Sequence, residues 1–207
     1  MKTRLNWTLM IVISGFIISG CSPRSKYERM LKHELASGVR NDSLFLGLYF
    51  GMPEKEFYTH CWNLNQKGLI KQGETNTTAE YELKDELKYP ALMDFYPNFM
   101  KGKIFEMPVS FKYKGWAPWN NKLSSDNLEI DVLNWYEKVF GKGFIQVKHP
   151  THGTAYVKIN GNRRITIFIE DEMHVWAVLT DISVKKDWND SYPNSGIIDD
   201  DITKDLK

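Results

Sequence analysis

From residue 144 onwards the chain consists of four short runs rich in β-branched, aliphatic and aromatic residues, 144–148, 155–160, 163–169 and 173–184, separated by a few turn-forming residues. Connections this short join only antiparallel neighbours, so the segment reads as a meander of strands. Register then decides which side chains share a face. A three-residue loop at 160–162, with Asn162 in the left-handed position, would pair Ile159 with Arg163, Val157 with Ile165 and Ala155 with Ile167. A loop at 170–172 would set Ile169 opposite Met173, Ile167 opposite Val175 and Ile165 opposite Ala177. One face is then wholly aliphatic, and the other carries Tyr156, Thr166 and Trp176 in one row beside Phe168 and His174, under a structural cover or open to a partner.

The meander follows a helix. Asp126 and Glu129 have capping-box spacing, Leu128, Val132, Trp135, Tyr136 and Val139 recur at helical intervals, and Gly141 ends the element. A similar order occurs upstream. Residues 44–50 read as a strand, and Pro53 suits the first turn of a helix that Glu54 and Glu56 favour by charge. Phe57, Cys61 and Leu64 mark its buried side, Gly68 closes it, and strands are expected at 69–72, 78–83 and 103–114. Tyr89 to Pro97, with a proline near each end, reads as a loop or short helix. Helix followed by strands, twice, implies an α+β fold with helices packed on an antiparallel sheet. It also suggests two tandem helix-plus-meander halves, 42–114 and 124–184, although the halves share no convincing residue-level identity.

The N-terminus carries a different message. Lys2 and Arg4 precede an apolar run from Leu9 to Ile18, too short for a permanent span, and Ile18-Ser19-Gly20-Cys21 has the form of a lipobox. Residues 1–20 therefore read as a lipoprotein signal peptide and Cys21 as the lipidated first mature residue. The lipoprotein maturation that the motif resembles adds three acyl chains (palmitate is typical), and several chains anchor stably where one binds marginally. A polar tether is expected at 21–25. Beyond it Tyr27, Met30, Leu31 and Leu35 line one helical face, and Arg24, Lys26, Arg29 and Lys32, with Arg40 beyond, line the other, within reach of anionic headgroups. Ser22 at the second mature position favours the outer membrane over inner-membrane retention.

Composition narrows the function. Losing Lys2 and Arg4 from the 27 basic residues leaves 25 against 26 acids, a balance that argues against nucleic-acid binding. Seven tryptophans and an aromatic content of 14% favour a recognition surface. With Cys21 committed to lipid, Cys61 has no intramolecular partner, so no disulfide framework is expected, and Cys61 reads as a small buried hydrophobe. His149-x-x-His152 brackets Pro150 in a turn and lacks a third ligand nearby, so the pair reads as exposed loop histidines, with no metal or cofactor expected. Gly141-Lys142-Gly143 ends a helix and offers phosphate no helix start. No nucleophile elbow or acid/base pair is legible, and no catalytic residue is nominated. The segment 185–207, with Asp199-Asp200-Asp201, reads as a solvated tail.

Trp116-Ala117-Pro118-Trp119-Asn120 reads either as two indoles that plug the ends of a sheet or as a binding candidate, a rigid aromatic loop for a partner side chain or a sugar ring, with Tyr156 and Trp176 as further candidates.

Asp42-Ser43-Leu44-Phe45-Leu46-Gly47, Gly51-Met52 before Glu56-Phe57-Tyr58, Cys61-Trp62-x-Leu64-Asn65, the Trp116 loop and Gly161-Asn162-Arg163-Arg164-Ile165 together resemble lipoproteins of the Bacteroidetes, over roughly residues 27–184. Gly47-x-x-x-Gly51-Met52 running into an acidic helix start is similar to the small outer-membrane assembly lipoproteins of the BamE/SmpA type. Their helix-plus-antiparallel-sheet fold, and the related tandem fold of β-lactamase-inhibitor proteins, is what that resemblance implies here. Asp42-Ser43-Leu44 also resembles a periplasmic O-glycosylation site, which would modify Ser43. The expectation is a lipid-anchored, non-enzymatic envelope protein, anchored through Cys21 in the outer membrane, that binds a protein partner. A surface glycan-binding lipoprotein is the alternative, and an unrecognised hydrolase using His149, His152 and His174 a third reading.

Overall fold

Antiparallel pairing runs through the whole domain. The computed structural model describes residues 23–75 and 77–184. It contains helices α1 (Pro23–Ser37), α2 (Glu54–Gln66) and α3 (Ser125–Phe140) and strands β1 (Lys71–Gln72), β2 (Ala79–Leu83), β3 (Ala91–Phe95), β4 (Asn98–Met100), β5 (Lys103–Tyr113), β6 (Ile145–His149), β7 (Gly153–Asn160), β8 (Arg163–Ile169) and β9 (Val175–Asp181). The strands form one sheet in the order β1-β2-β3-β5-β9-β8-β7-β6, with β4 paired to β5. Two runs of helix followed by strands thus meet through their last strands, β5 and β9, at the middle of the sheet. The expected α+β architecture is what the chain adopts.

Helices cover both faces. On one, α2 and α3 bury Phe57, Leu64, Leu128, Val132 and Tyr136 against Met93, Phe95, Met107, Val109, Phe111, Ile165, Ile167, Ala177 and Leu179. On the other, α1 buries Tyr27 against Ile145, Val147, Ala155, Val157, Ile159, Phe168 and Val178. α1 starts at Pro23 and so takes in residues expected in the tether. Its face holds as read at Tyr27, Met30 and Leu31, whereas Leu35 is exposed.

The β7–β8 hairpin departs from the expected register. Asn160 pairs with Arg163, so the loop is Gly161-Asn162, with Val157 opposite Thr166 and Ala155 opposite Phe168. Gly161 has φ of 60°, and Asn162 lies outside the positive-φ residues, which is the pattern of a type II′ turn. The aliphatic set of β7 therefore faces α1, while Tyr156 joins Ile165 and Ile167 on the α3 face. The β8–β9 pairing is also shifted, with Ile167 opposite Ala177 and Ile169 opposite Val175. That slip of two residues keeps each side chain on its expected face.

Three further expectations are corrected. Residues 44–50 turn back on themselves, because Leu46 and Gly47 are both left-handed and Leu48 N–H bonds to Phe45 O at 2.8 Å. The segment from Tyr89 to Pro97 contains β3, whose Ala91, Met93 and Phe95 alternate into the core between the two prolines. α3 begins one residue before Asp126, with Ser124 at the N-cap, so the expected capping box does not form, and Val139 is exposed. At the other end of α3, Lys158 Nζ donates to the carbonyls of Phe140, Gly141 and Lys142 at 2.6–2.8 Å, satisfying groups the helix leaves unpaired.

Gly161 tests this turn. A Cβ there would stand 2.3 Å from Val39 O, and the left-handed backbone disfavours any side chain besides. Gly161→Ala should lower stability by ~2–4 kcal/mol in urea unfolding without changing the unfolding slope, and a change under ~0.5 kcal/mol would contradict the turn.

Candidate functional site

The residues nominated from sequence do not converge. Trp119 is 86% exposed at the loop tip, whereas the Trp116 indole N–H donates to Glu172 O at 3.2 Å and is held against the β8–β9 loop. Asn120 accepts the N–H of Leu123 through its carbonyl and opens a short 3₁₀ turn. Tyr156 packs on the α3 face, while Trp176 lies on the α1 face, opposite Ser110 on one side and Phe168 on the other. The row expected to join Tyr156 to Trp176 is thus divided by the sheet. Ser43 is exposed, and its carbonyl accepts from Arg163 at 2.6 Å. Cys21 and the segment 185–207 lie outside the described residues.

A concavity lies between α2 and the β1–β2 edge. It is a groove of about 370 Å³ whose walls include Phe57, Tyr58, Cys61, Trp62, Ile70 and Tyr96. Helical spacing puts Tyr58 and Trp62 on one outward stripe, because residues four apart lie one above the other. They are 47% and 65% exposed, large apolar areas for positions beside a hollow. The aromatic wall is fixed from behind. Phe57 meets Tyr58, Tyr96 and Phe99 edge-on at centroid distances of 5.5, 6.0 and 5.9 Å. The Tyr58 and Tyr96 hydroxyls are 2.6 Å apart, and this bond, with burial, pushes the Tyr58 phenol up to about 12. The floor is tied to the helix by Leu69 N–H to Leu64 O and by Asn65 Nδ2 to Ile70 O, both at 3.0 Å. β1, two residues long, stands at the end of the strand order and pairs with β2.

Cys61 lines this groove half-buried, and burial pushes its thiol up to about 11. A thiol so raised is a packing group and a poor nucleophile at neutral pH. The sequence signal for the groove is Tyr58 and Trp62 at i, i+4 on the side of α2 away from Phe57. That pair carries no meaning by itself until β1 and β2 close the other wall.

The histidines are not the exposed pair expected. His149 is buried at the end of β6, and both its ring and that of His152 stack on Phe168, at 4.6 and 4.8 Å. His149 Nδ1 accepts the N–H groups of Thr151 and His152 at 3.3 and 3.1 Å, which leaves the proton on the other nitrogen. His152 Nε2 meets Glu170 at 3.0 Å. His174 instead faces Asp171 at 2.9 Å. Burial disfavours the Asp171 carboxylate, but bonds from His174 and two backbone N–H groups outweigh that and hold it below the usual range. Among the described residues no group of three or more His, Cys, Asp or Glu is arranged to hold a metal ion. No helix among them is long and apolar enough to cross a membrane.

Where α1 does not reach, the second face of the sheet is laced with charge. Lys71 pairs with Glu80 at 2.9 Å and Lys114 with Glu82 at 2.7 Å, and Lys112 is paired with Glu74. Asp94 sits among them, pushed up to about 6 by burial first and by the nearby Glu80 second.

No family model, no curated protein and no solved structure matches the chain.

Two outcomes follow from these ionisations. Cys61 should react with a thiol reagent at about pH 8 on the order of a hundredfold more slowly in the folded chain than in the unfolded one, as followed by labelling with and without denaturant. Asp94 keeps its proton up to about 6 when folded and ionises near ~4 when unfolded, so its contribution to stability falls as pH rises through that window. Asp94→Asn should therefore raise the melting temperature at about pH 7 relative to wild type and lose that advantage below about pH 4. An equal effect at both pH values would contradict the assignment.

Proposed function

We propose that the chain is a lipid-anchored protein of the cell envelope, attached through Cys21 to the outer membrane, that acts as a non-enzymatic binding module for a protein partner. The observation that carries the reading is the aromatic groove beside the two-residue edge strand β1. An extended segment of the partner would add its backbone to β1 and set apolar side chains between Tyr58, Trp62 and Tyr96. Main-chain bonding gives such a site affinity, and the groove gives it selectivity for large apolar side chains. The address rests on the lipobox, and the resemblance to Bacteroidetes lipoproteins and to BamE/SmpA-type assembly lipoproteins supports the same location. A glycan-binding reading retains Trp119 as its exposed indole, without Trp116 or Trp176 beside it as a platform.

A photoreactive residue at Trp62 in intact cells should capture one reproducible envelope polypeptide, with the crosslink falling in an extended segment. Tyr58→Ala with Trp62→Ala should weaken that binding by roughly 30-fold or more, with the circular dichroism spectrum unchanged, since buried tryptophan and tyrosine anchors each carry ~2 kcal/mol or more. Recovery of a free monomer only, or binding that survives both substitutions and is lost with Trp119→Ala, would overturn the reading.

A further inference from the structure

The anchor and the first helix fix which side of the domain meets the bilayer. Between Cys21 and Pro23, where α1 starts, stands only Ser22. Two residue steps span at most about 7 Å, and four more along the helix add about 6 Å. They end at Tyr27, which is 1% exposed beneath α1, its hydroxyl accepting from Arg164 at 3.2 Å. The lipid site is thus joined to the sheet through a packed helix, not through a long leash.

The outward side of that helix has one sign of charge. Lys26, Arg29 and Lys32 are exposed, as is His33, whereas Arg40 beyond the helix is paired with Asp42 and Asp181. The acids of α1, Glu28 and Glu34, are half-buried, and Glu34 is bonded to Gly161 N–H at 2.7 Å. Leu35 and Val39 are exposed beside the basic residues, where apolar side chains would enter the headgroup boundary. We propose that the outer face of α1 lies on the membrane and docks on anionic headgroups, orienting the domain with its α2 groove turned away from the bilayer. The inference rests on the lipidation of Cys21. Each basic side chain near an anionic surface adds an attraction that is screened by salt.

The test uses the full acylated chain reconstituted in vesicles of phosphatidylcholine with or without phosphatidylglycerol, in a Cys61→Ala background. A fluorophore at His33→Cys should be at least about threefold less accessible to an aqueous quencher in the anionic vesicles than in the neutral ones, the difference shrinking in high salt. A fluorophore at Trp119→Cys should be equally accessible in both. Lys26→Glu, Arg29→Glu and Lys32→Glu together should abolish the protection at position 33 while leaving the circular dichroism spectrum unchanged. Intact mass separates the two ideas. An acylated chain whose position 33 is equally accessible in both vesicles overturns the orientation alone, and a chain purified from membranes without acyl mass on Cys21 overturns both.

Discussion

The chain has to pass from one face of its sheet to the other between α1 and α2, and the polar clasp that makes this passage feasible is the interaction on which the rest depends. Residues 38–52 cross at the tip of the β7–β8 hairpin, where their backbone groups leave regular pairing and need other partners. Asn162 supplies them. Its Oδ1 accepts Asn41 N–H at 2.6 Å, its Nδ2 donates to Asp42 at 2.8 Å, and its own N–H bonds to Val39 O at 3.2 Å. Asn41 returns the bond to Asn160, and Arg40 bridges Asp42 and the buried Asp181 at 2.7 and 2.9 Å. Because Asp181 ends β9, the clasp ties α1, the crossing, the hairpin and the central strand at one point. Removing a single member would strand buried polar groups, so such a network acts as a unit.

The clasp also explains why the hairpin has the register it has. On β8 both alternate sets can be buried, Ile165, Ile167 and Ile169 on one side and Thr166 and Phe168 on the other. Hydrophobic alternation therefore does not choose a face for β7. The choice comes from tertiary contacts that local sequence does not display, namely Gly161 pressed against the Val39 carbonyl and Asn162 held by the crossing segment. With that choice made, Tyr156 and Lys158 go to the α3 side, where the lysine can cap the helix. A turn of two residues instead of three thus determines what a whole strand faces.

Elements with strong periodicity were legible for the same reason that these details were not. α2 and α3, the long β5 and the meander follow from spacing that each segment carries by itself. β3 was hidden by Pro90 and Pro97, although both lie just outside it, and residues 44–50 resembled a strand because their apolar content was visible and the left-handed Leu46 was not. The binding surface followed a similar division. Trp119 stands exposed in its loop, but Trp116 is engaged by the β8–β9 loop, a neighbour 56 residues away. Tyr58 and Trp62 have little meaning until β1 and β2 close the other wall of their groove.

The sheet gives these surfaces a fixed relation. α1 packs over β6 and β7 at one end of the strand order, and the groove lies at β1, seven strand steps away, under a helix on the opposite face. At a spacing of about 4.8 Å per strand the two ends are separated by about 34 Å along the sheet. Every step between them is a paired antiparallel ladder, and the join between the two runs is the β5–β9 pair, six residues long and closed on both faces by core side chains at Met107, Val109, Phe111 and Val178. A ladder of this kind resists bending at its centre. The distance and direction from the first helix to the groove are therefore properties of the sheet itself, and a chain held at its N-terminus would present the groove at a set height and angle without any further element to position it.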